Sequence, residues 1–242
     1  MTMSSADDSV SSWLWSSPRV VELTSLCASN GFVRSLATGT LPRPSFQGYV
    51  AQDKFFLEAF SRAYATAAAK CAAANDVRSA AEFEELVAGV REELSLHAGY
   101  AEQWQVDLRN VTPTAECAAY VNFLLSVSEA EDVATCAAAM VPCMRLYAAL
   151  GQRIAAQQRR HAQPGATQDG GGGLDGGGGL DAGAYQSWVD TYASDDFEAL
   201  AAKLEGMLDR LAAMPSAPGR ALLHERYVRA MELELAFFNA WA

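Results

Sequence analysis

Apolar side chains recur at steps of three and four residues along most of this 242-residue chain, and this spacing constrains its fold more than any other feature. The pattern is clearest between Phe46 and Tyr64, where it defines one apolar face of a helix predicted from about Pro44 to Ala74. No convincing run alternates apolar with polar residues, as a half-buried strand would. The spacing therefore predicts an all-α protein, a compact bundle of about seven helices.

Residues that start and stop helices place the other predicted elements. A first helix is expected from about Ser12 to Ser29, ended by Asn30-Gly31 and followed by a turn segment up to Pro44. The remaining helices are expected at about 77–104, 113–126, 129–160, 195–214 and 218–240, with a short helical turn at 185–192. The whole chain, 1–242, is predicted to be a single helical domain, with residues 1–11 disordered. Two runs of four glycines predict that 163–181 is a flexible insertion.

Composition argues against several classes of function and partner. Eighteen basic and 29 acidic residues give a net charge of −11 without a basic stripe, so neither nucleic acid nor a membrane is an expected partner. No apolar run long enough to span a bilayer is expected, and the acidic N-terminus lacks a signal peptide's basic region. Five cysteines without a Cys-x-x-Cys pair favour free thiols in a reducing compartment. We expect a cytoplasmic location, and the sequence leaves an organellar address open.

Two carboxylates lie on apolar helix faces. Asp53 follows Tyr49 by four residues and precedes Phe56 by three, while Glu234 precedes Phe238 by four in the last predicted helix. A charge in such a place is costly unless it has a partner. Each acid is therefore either a salt-bridged structural residue or part of a site. A Glu held in an apolar site tends to have a raised pKa, which suits a general acid.

Cys143 lies on the apolar stripe of the helix predicted over 129–160 and directly follows Pro142. A proline inside a helix removes one backbone hydrogen bond, so the helix is expected to kink there. A free cysteine on such a stripe is commonly a small buried core residue. It becomes a nucleophile if an acid lies nearby and the thiol is deprotonated.

Three other polar residues are weaker candidates. Tyr120 and Tyr192 carry hydroxyls that need partners if they are buried, as core tyrosines often do. His97 belongs to no Glu-x-x-His repeat, which argues against a di-iron site. Neither a metal nor another cofactor is expected from these residues.

Four motifs, in order along the chain, resemble those of the TenA family, also called thiaminase II. They are F-V-x-x-L-x-x-G-x-L-x-x-x-x-F-x-x-Y-x-x-Q-D at 32–53, V-P-C-M-R-L-Y at 141–147, W-x-x-x-Y at 188–192 and E-L-E-x-x-F-F at 232–238. The second and fourth most resemble the TenA domain of plant bifunctional proteins that add a haloacid-dehalogenase-type phosphatase. No phosphatase half is expected after Ala242.

This resemblance implies a haem-oxygenase-like helical bundle that binds no haem. It also implies hydrolysis of 5-aminomethyl-4-amino-2-methylpyrimidine, with thiamine as a further candidate substrate. The product would be 4-amino-5-hydroxymethyl-2-methylpyrimidine, released for thiamine salvage. A homo-oligomer is implied as well, since the family is often tetrameric.

The resemblance also implies roles for single residues. By its motifs, Asp53 would bind the aminopyrimidine edge, Cys143 would add to the ring, and Glu234 would serve as acid and base. Four aromatic residues would line the substrate site: Phe56, Tyr120, Tyr147 and Tyr192. Phe56 stands where the family often has a tyrosine, so a stacking contact is expected there but not a hydroxyl hydrogen bond.

Two alternatives to an enzyme stay open from the sequence. The first is a non-catalytic helical protein that binds a pyrimidine or a regulatory partner, and Cys143 distinguishes it from the enzyme. The second is a ferritin-like metal bundle, which predicts bound iron in the purified protein. The preferred pyrimidine and its leaving group also stay open, because the residues that contact a leaving group carry no recognisable motif.

Overall fold

A computed structural model describes residues 9–162, 183 and 185–242, and these residues form ten α-helices and no β-strand. The all-α class is therefore confirmed, with more helices than the seven expected. In chain order the helices are α1 (Val10–Trp15), α2 (Pro18–Ser29), α3 (Gly31–Ala37), α4 (Arg43–Ala73), α5 (Val77–Gln103), α6 (Ala115–Ala130), α7 (Val133–Ala162), α8 (Gln186–Tyr192), α9 (Asp195–Ala212) and α10 (Arg220–Asn239).

The first predicted helix is wrong, because the structure divides it into α1 and α2. Pro18 is the first residue of α2, after Ser17 in an extended conformation, and it has no N–H to continue the ladder of α1. The turn predicted after Asn30 is also wrong, since α3 begins at Gly31. Asn30 ends α2 and its side-chain oxygen accepts a hydrogen bond from the backbone N–H of Phe32, at 2.8 Å, which starts α3.

Helix α7 lies at the centre of the bundle. It packs against α4, α6, α8, α9 and α10, while α5 packs along α4 after a short turn at Asn75. Several α7 side chains are completely buried, among them Ala137, Met140 and Leu146. Side chains on different sides of α7 consequently face different neighbouring helices, and this arrangement determines which of them reach a cavity.

The composition of α7 contradicts the expectation that no apolar run is long enough to span a bilayer. Residues Val133–Arg160 are long and apolar enough to cross a membrane by length and composition alone, so the expectation that no such run exists is wrong. Most of this apolar stretch is buried inside the bundle. Its composition is that of a core helix surrounded by other helices.

Two predicted segments fall mainly outside the described residues. The first is the glycine-rich stretch 163–181, which lies wholly outside them. The second is the terminus 1–11, predicted to be disordered, of which residues 1–8 lie outside them. Ser9 and Ser11 are described. The Ser9 hydroxyl caps α1, and Ser11 donates from its N–H and its hydroxyl to the Asp209 carboxylate, at 2.7 and 2.8 Å.

Candidate active site

Two adjoining cavities lie between α4, α5, α7, α8 and α9. The first, of about 350 Å³, is called the thiol cavity because Cys143 lies in its wall. The second, of about 360 Å³, is called the histidine cavity because it contains His97. Four residues line both cavities: Asp53, Glu93, Thr191 and Tyr192. Of the seven predicted site residues, five line the thiol cavity: Asp53, Phe56, Cys143, Tyr147 and Tyr192.

The other two predicted residues, Tyr120 and Glu234, lie behind Cys143. The Tyr120 hydroxyl donates a 2.8 Å hydrogen bond to Glu234 Oε1, and the Cys143 thiol lies beside the same carboxyl group. All three side chains are buried, and they come from α6, α7 and α10. The structure therefore places a thiol, a carboxyl group and a phenol in one buried cluster at the cavity wall.

Burial controls the protonation of this cluster. It raises the pKa of Glu234 to about 7, although the hydrogen bond from Tyr120 and the neighbouring Cys143 thiol lower it in part. Burial also raises the pKa of the Cys143 thiol well above its usual range, and the nearby Glu234 and Asp53 raise it further. Cys143 is therefore a neutral thiol at rest, and Glu234 is the adjacent group that can take its proton.

Asp53 stands at the boundary between the two cavities. Burial raises its pKa from 3.8 to about 8, and Glu93 and Glu234 add to the effect. Among the described residues, its one ion-pair neighbour is His97, whose Nε2 lies 3.5 Å from Asp53 Oδ2. No lysine or arginine among the described residues forms an ion pair with Asp53. This argues against the alternative that Asp53 is a structural residue held by a salt bridge.

Aromatic rings form the walls around these polar groups. Tyr147 and Tyr192 meet edge to face, with ring centroids 4.9 Å apart, and Trp188 packs 4.6 Å from Tyr192. The Tyr49 hydroxyl donates to the Tyr147 hydroxyl and accepts from Trp188 Nε1, both at 3.3 Å. These contacts fix the Tyr147 ring from two sides and leave flat apolar surfaces towards the cavities.

Phe56 forms another part of the wall. Its ring centroid lies 4.8 Å from that of Tyr120 and 6.4 Å from that of Phe237. Because Tyr120 is bonded to Glu234, Phe56 packs against the same cluster that holds Cys143. The structure thus connects Phe56 to the Cys143 thiol through two intervening residues, Tyr120 and Glu234.

Gly151 on α7 allows α8 to approach closely enough to bring Tyr192 to the cavity. A Cβ atom at Gly151 would lie 2.5 Å from the Tyr192 carbonyl carbon, so any larger residue would push the two helices apart. Both Trp188 and Tyr192 lie on α8. The side-chain positions in this wall therefore depend on one small residue in the neighbouring helix.

Sequence reasoning missed several residues at the site, above all His97 and Glu93. The sequence pattern offers His97 only as a candidate metal ligand, yet its side chain is buried and its Nε2 has no hydrogen-bond partner. Glu93 precedes His97 by one helical turn and lines both cavities, and that four-residue spacing was the available signal. Within the described residues, no group of three or more His, Cys, Asp or Glu side chains could hold a metal ion.

Comparison with known proteins gives the family. The profile of the TENA/THI-4/PQQC family matches residues 18–242. The chain is 31% identical to the bifunctional TH2 protein, mitochondrial, of Arabidopsis thaliana over 86% of this chain, and it spans 34% of that protein's length. It is 28% identical to a protein of Halalkalibacterium halodurans named aminopyrimidine aminohydrolase, covering 86% of this chain and 85% of the relative.

Solved structures show the same fold. A TenA family transcription regulator from Silicibacter is 27% identical, with a TM-score of 0.73 over 90% of this chain and 91% of that one. A TenA homologue from Pyrococcus horikoshii has a TM-score of 0.75 over 96% and 98% of the two chains, at 20% identity. The resemblance drawn from the four motifs is thus confirmed, and the chain belongs to the TENA/THI-4/PQQC family.

Proposed function

We propose that the chain is an aminopyrimidine hydrolase that releases 4-amino-5-hydroxymethyl-2-methylpyrimidine from its 5-aminomethyl counterpart. One observation carries the proposal: the Cys143 thiol lies beside the Glu234 carboxyl group at the wall of a cavity that also contains Asp53. Relatives from three bacteria named aminopyrimidine aminohydrolase, 25% to 28% identical over most of this chain, support it. The further activities of the much longer plant relative are not part of the proposal.

Substrate binding uses the polar edge of the aminopyrimidine ring. Its amino group is a hydrogen-bond donor, and Asp53 offers carboxyl oxygens in a wall that also contains several aromatic rings. The flat ring is matched by aromatic side chains of Phe56, Tyr147 and Tyr192. Glu93 adds a further acid to the cavity and attracts the ammonium group of an aminomethyl substrate.

Covalent chemistry then begins at Cys143. Its thiol proton passes to Glu234, and the thiolate sulfur forms a bond to the ring carbon beside the substituted position. The electron pair displaced from the ring is held at a ring nitrogen that takes up a proton. Glu234, with a pKa of about 7, is the group in contact with the thiol that can both take and return a proton near neutral pH.

Release of the amine and entry of water complete the reaction. The exocyclic C–N bond breaks, and the amine leaves with a proton while the ring adduct supplies the electrons. Water adds to the exocyclic carbon and loses a proton to a base, for which Glu234 is the candidate. The bond between sulfur and ring then breaks, which restores aromaticity and the free thiol. Thiamine would follow the same steps with its thiazole as leaving group.

The test compares the aminomethylpyrimidine and thiamine side by side as substrates of the wild-type protein and of Cys143→Ser. We expect release of the hydroxymethylpyrimidine by the wild type and a loss of kcat of about a thousandfold or more in the variant, because an alcohol is much harder to ionise than a thiol. Cys71→Ser is the matched control, since Cys71 is equally buried but lies outside both cavities.

Two outcomes would reject the covalent mechanism. One is turnover by Cys143→Ser at the wild-type rate, and the other is a wild-type protein that releases no hydroxymethylpyrimidine from either compound. Binding of the pyrimidine without turnover would instead support the non-catalytic alternative. A homo-oligomer and a cytoplasmic location stay predictions, which gel filtration and cell fractionation would test.

A further inference from the structure

The imidazole of His97 carries a buried nitrogen with no hydrogen-bond partner. His97 is 8% exposed, and its ring donates a hydrogen bond to the backbone carbonyl of Val50 on α4. The unpartnered atom is Nε2, so the donating nitrogen is Nδ1. A neutral ring whose Nδ1 carries the hydrogen leaves a lone pair on Nε2.

The Nε2 atom lies near one particular oxygen of Asp53. Nε2 lies 3.5 Å from Asp53 Oδ2, somewhat beyond an ordinary hydrogen bond, and a small rotation of either side chain would close the gap. Burial lowers the pKa of His97 and raises that of Asp53, and both shifts favour a neutral imidazole beside a neutral carboxyl group. The charged groups around the pair are Lys54 on α4, Glu93 on α5 and Glu234 on α10.

We propose that His97 is a positioning residue that keeps the proton of Asp53 on the Oδ2 side, so that Oδ1 meets the ligand as a pure hydrogen-bond acceptor. The inference rests on the proposed function, in which Asp53 binds the pyrimidine. The proton can reside on Oδ2 or on Nε2, and in both cases it lies between the two side chains. Oδ1 therefore accepts from a donor group and repels another acceptor.

This polarity defines the class of pyrimidine that the site accepts. A 4-amino group donates to Oδ1, whereas a 4-oxo group would place its oxygen lone pairs against those of Oδ1. A protonated carboxyl group without His97 could turn its O–H towards the ligand and would accept either ring. The proposed rejection of 4-oxo pyrimidines thus comes from the neighbour of Asp53 as much as from Asp53 itself.

The experiment measures the affinities of two product-like ligands by calorimetry near pH 7. They are 4-amino-5-hydroxymethyl-2-methylpyrimidine and its 4-oxo counterpart. We expect wild-type protein to bind the 4-amino compound at least about tenfold more tightly, because one contact changes from attraction to repulsion. In His97→Phe, which removes the acceptor and keeps a ring, we expect this ratio to fall towards one as the 4-oxo compound gains affinity.

His224→Phe is the matched control. His224 contacts Ser17 on the other side of the bundle and lines neither cavity, so the same chemical change there should leave the ratio intact. A folded His97→Phe that retains the wild-type ratio would overturn the inference. If neither pyrimidine binds wild-type protein, the proposed function fails together with the inference, and this result is distinguishable from an unchanged ratio.

Nitrogen NMR of the wild-type histidines tests the same inference without a variant that could misfold. We expect Nδ1 of His97 to carry a hydrogen and Nε2 to show the shift of a hydrogen-bonded acceptor, or of a protonated nitrogen in the complex with the 4-amino compound. A neutral His97 with its hydrogen on Nε2 and a bare Nδ1 would overturn the inference, because Nε2 could then accept nothing from Asp53.

Discussion

The two sides of helix α7 differ in whether the acidic residues packed against them have a basic partner. On one side, Cys143 contacts Glu234 in a buried cluster that contains no lysine or arginine among the described residues. On the other side, two residues further along, Arg145 binds Glu205 with two parallel hydrogen bonds of 2.8 and 2.7 Å and binds Glu198 at 2.8 Å. Both sides place carboxylates against the same helix, and only one of them provides a cation.

The difference separates acids that hold the fold from acids that can carry protons. Burial lowers the pKa of Arg145, but the hydrogen bonds with Glu205 and Glu198 outweigh it and leave the pKa raised, so this group stays charged. Glu234 has no such partner, and its pKa rises to about 7. A group that changes charge near neutral pH suits catalysis, whereas a permanently charged pair suits structure.

Among the substitutions that test this difference between the two sides of α7, Glu234→Gln should have the largest effect, a loss of kcat. The amide keeps the shape of the side chain but cannot take the thiol proton, so kcat should fall by about a thousandfold, within the range of general acid–base catalysis. Steady-state turnover of the aminomethylpyrimidine measures it. The matched control is Glu232→Gln, since Glu232 pairs with Arg19 and Arg229 on the outer surface of α10. Wild-type turnover by Glu234→Gln, together with a loss of stability, would make Glu234 a structural residue.

Arg145→Met tests the opposite side of α7. It leaves two partly buried carboxylates without their cation, so the free energy of unfolding should fall by about 2 to 3 kcal/mol while kcat of the folded protein changes little. Urea denaturation measures the loss. Arg229→Met, which removes an exposed pair, should cost less than about 1 kcal/mol. A large fall in kcat without a loss of stability would contradict the proposal that the Arg145 side of α7 is structural and the Glu234 side catalytic.

Asp53→Asn should show an effect on stability that depends on pH. Because folding raises the pKa of Asp53 from 3.8 to about 8, the folded state binds more protons than the unfolded state between those values, and wild-type stability falls as pH rises through this window. The amide that replaces the carboxyl group does not titrate, so the variant should gain stability relative to wild type from about pH 4 to about pH 8, by up to roughly 1.4 kcal/mol per pH unit. Thermal denaturation across this range measures the gain, and turnover should be lost.

Asp107→Asn is the control for that pH series. A side-chain hydrogen bond with Arg109 and further contacts hold the pKa of Asp107 at about 2, so this carboxylate is already ionised throughout the window. Its removal should give a difference from wild type that does not change with pH. Collapse of the fold in Asp53→Asn would instead restore the structural interpretation of Asp53.

The helical fold was largely predictable because it depends on local patterns. Spacing located α4, α5, α7, α9 and α10 to within a few residues, since long amphipathic helices leave a strong three- and four-residue period. The errors came at short elements. Pro18 begins α2 and the Asn30 side chain begins α3, and both are capping features of single residues that periodicity over longer windows does not detect.

The candidate site was only partly predictable because it joins distant parts of the chain. Periodicity showed that Asp53, Cys143 and Glu234 lie on inward faces, and the family motifs related them to one another. Nothing local indicated that Nε2 of His97 lies beside Asp53, since that contact depends on how α5 packs against α4. The sequence also could not predict that Glu234 has no lysine or arginine partner among the described residues, because this depends on how the helices pack together.

The close packing of Gly151 against Tyr192 bears on how such a chain can change over evolutionary time. The backbone of α8 at Tyr192 lies against Gly151 of α7, and both Trp188 and Tyr192 lie on α8. A substitution at Gly151 would be under strong selection, because any larger side chain there would displace Tyr192, which lines both cavities.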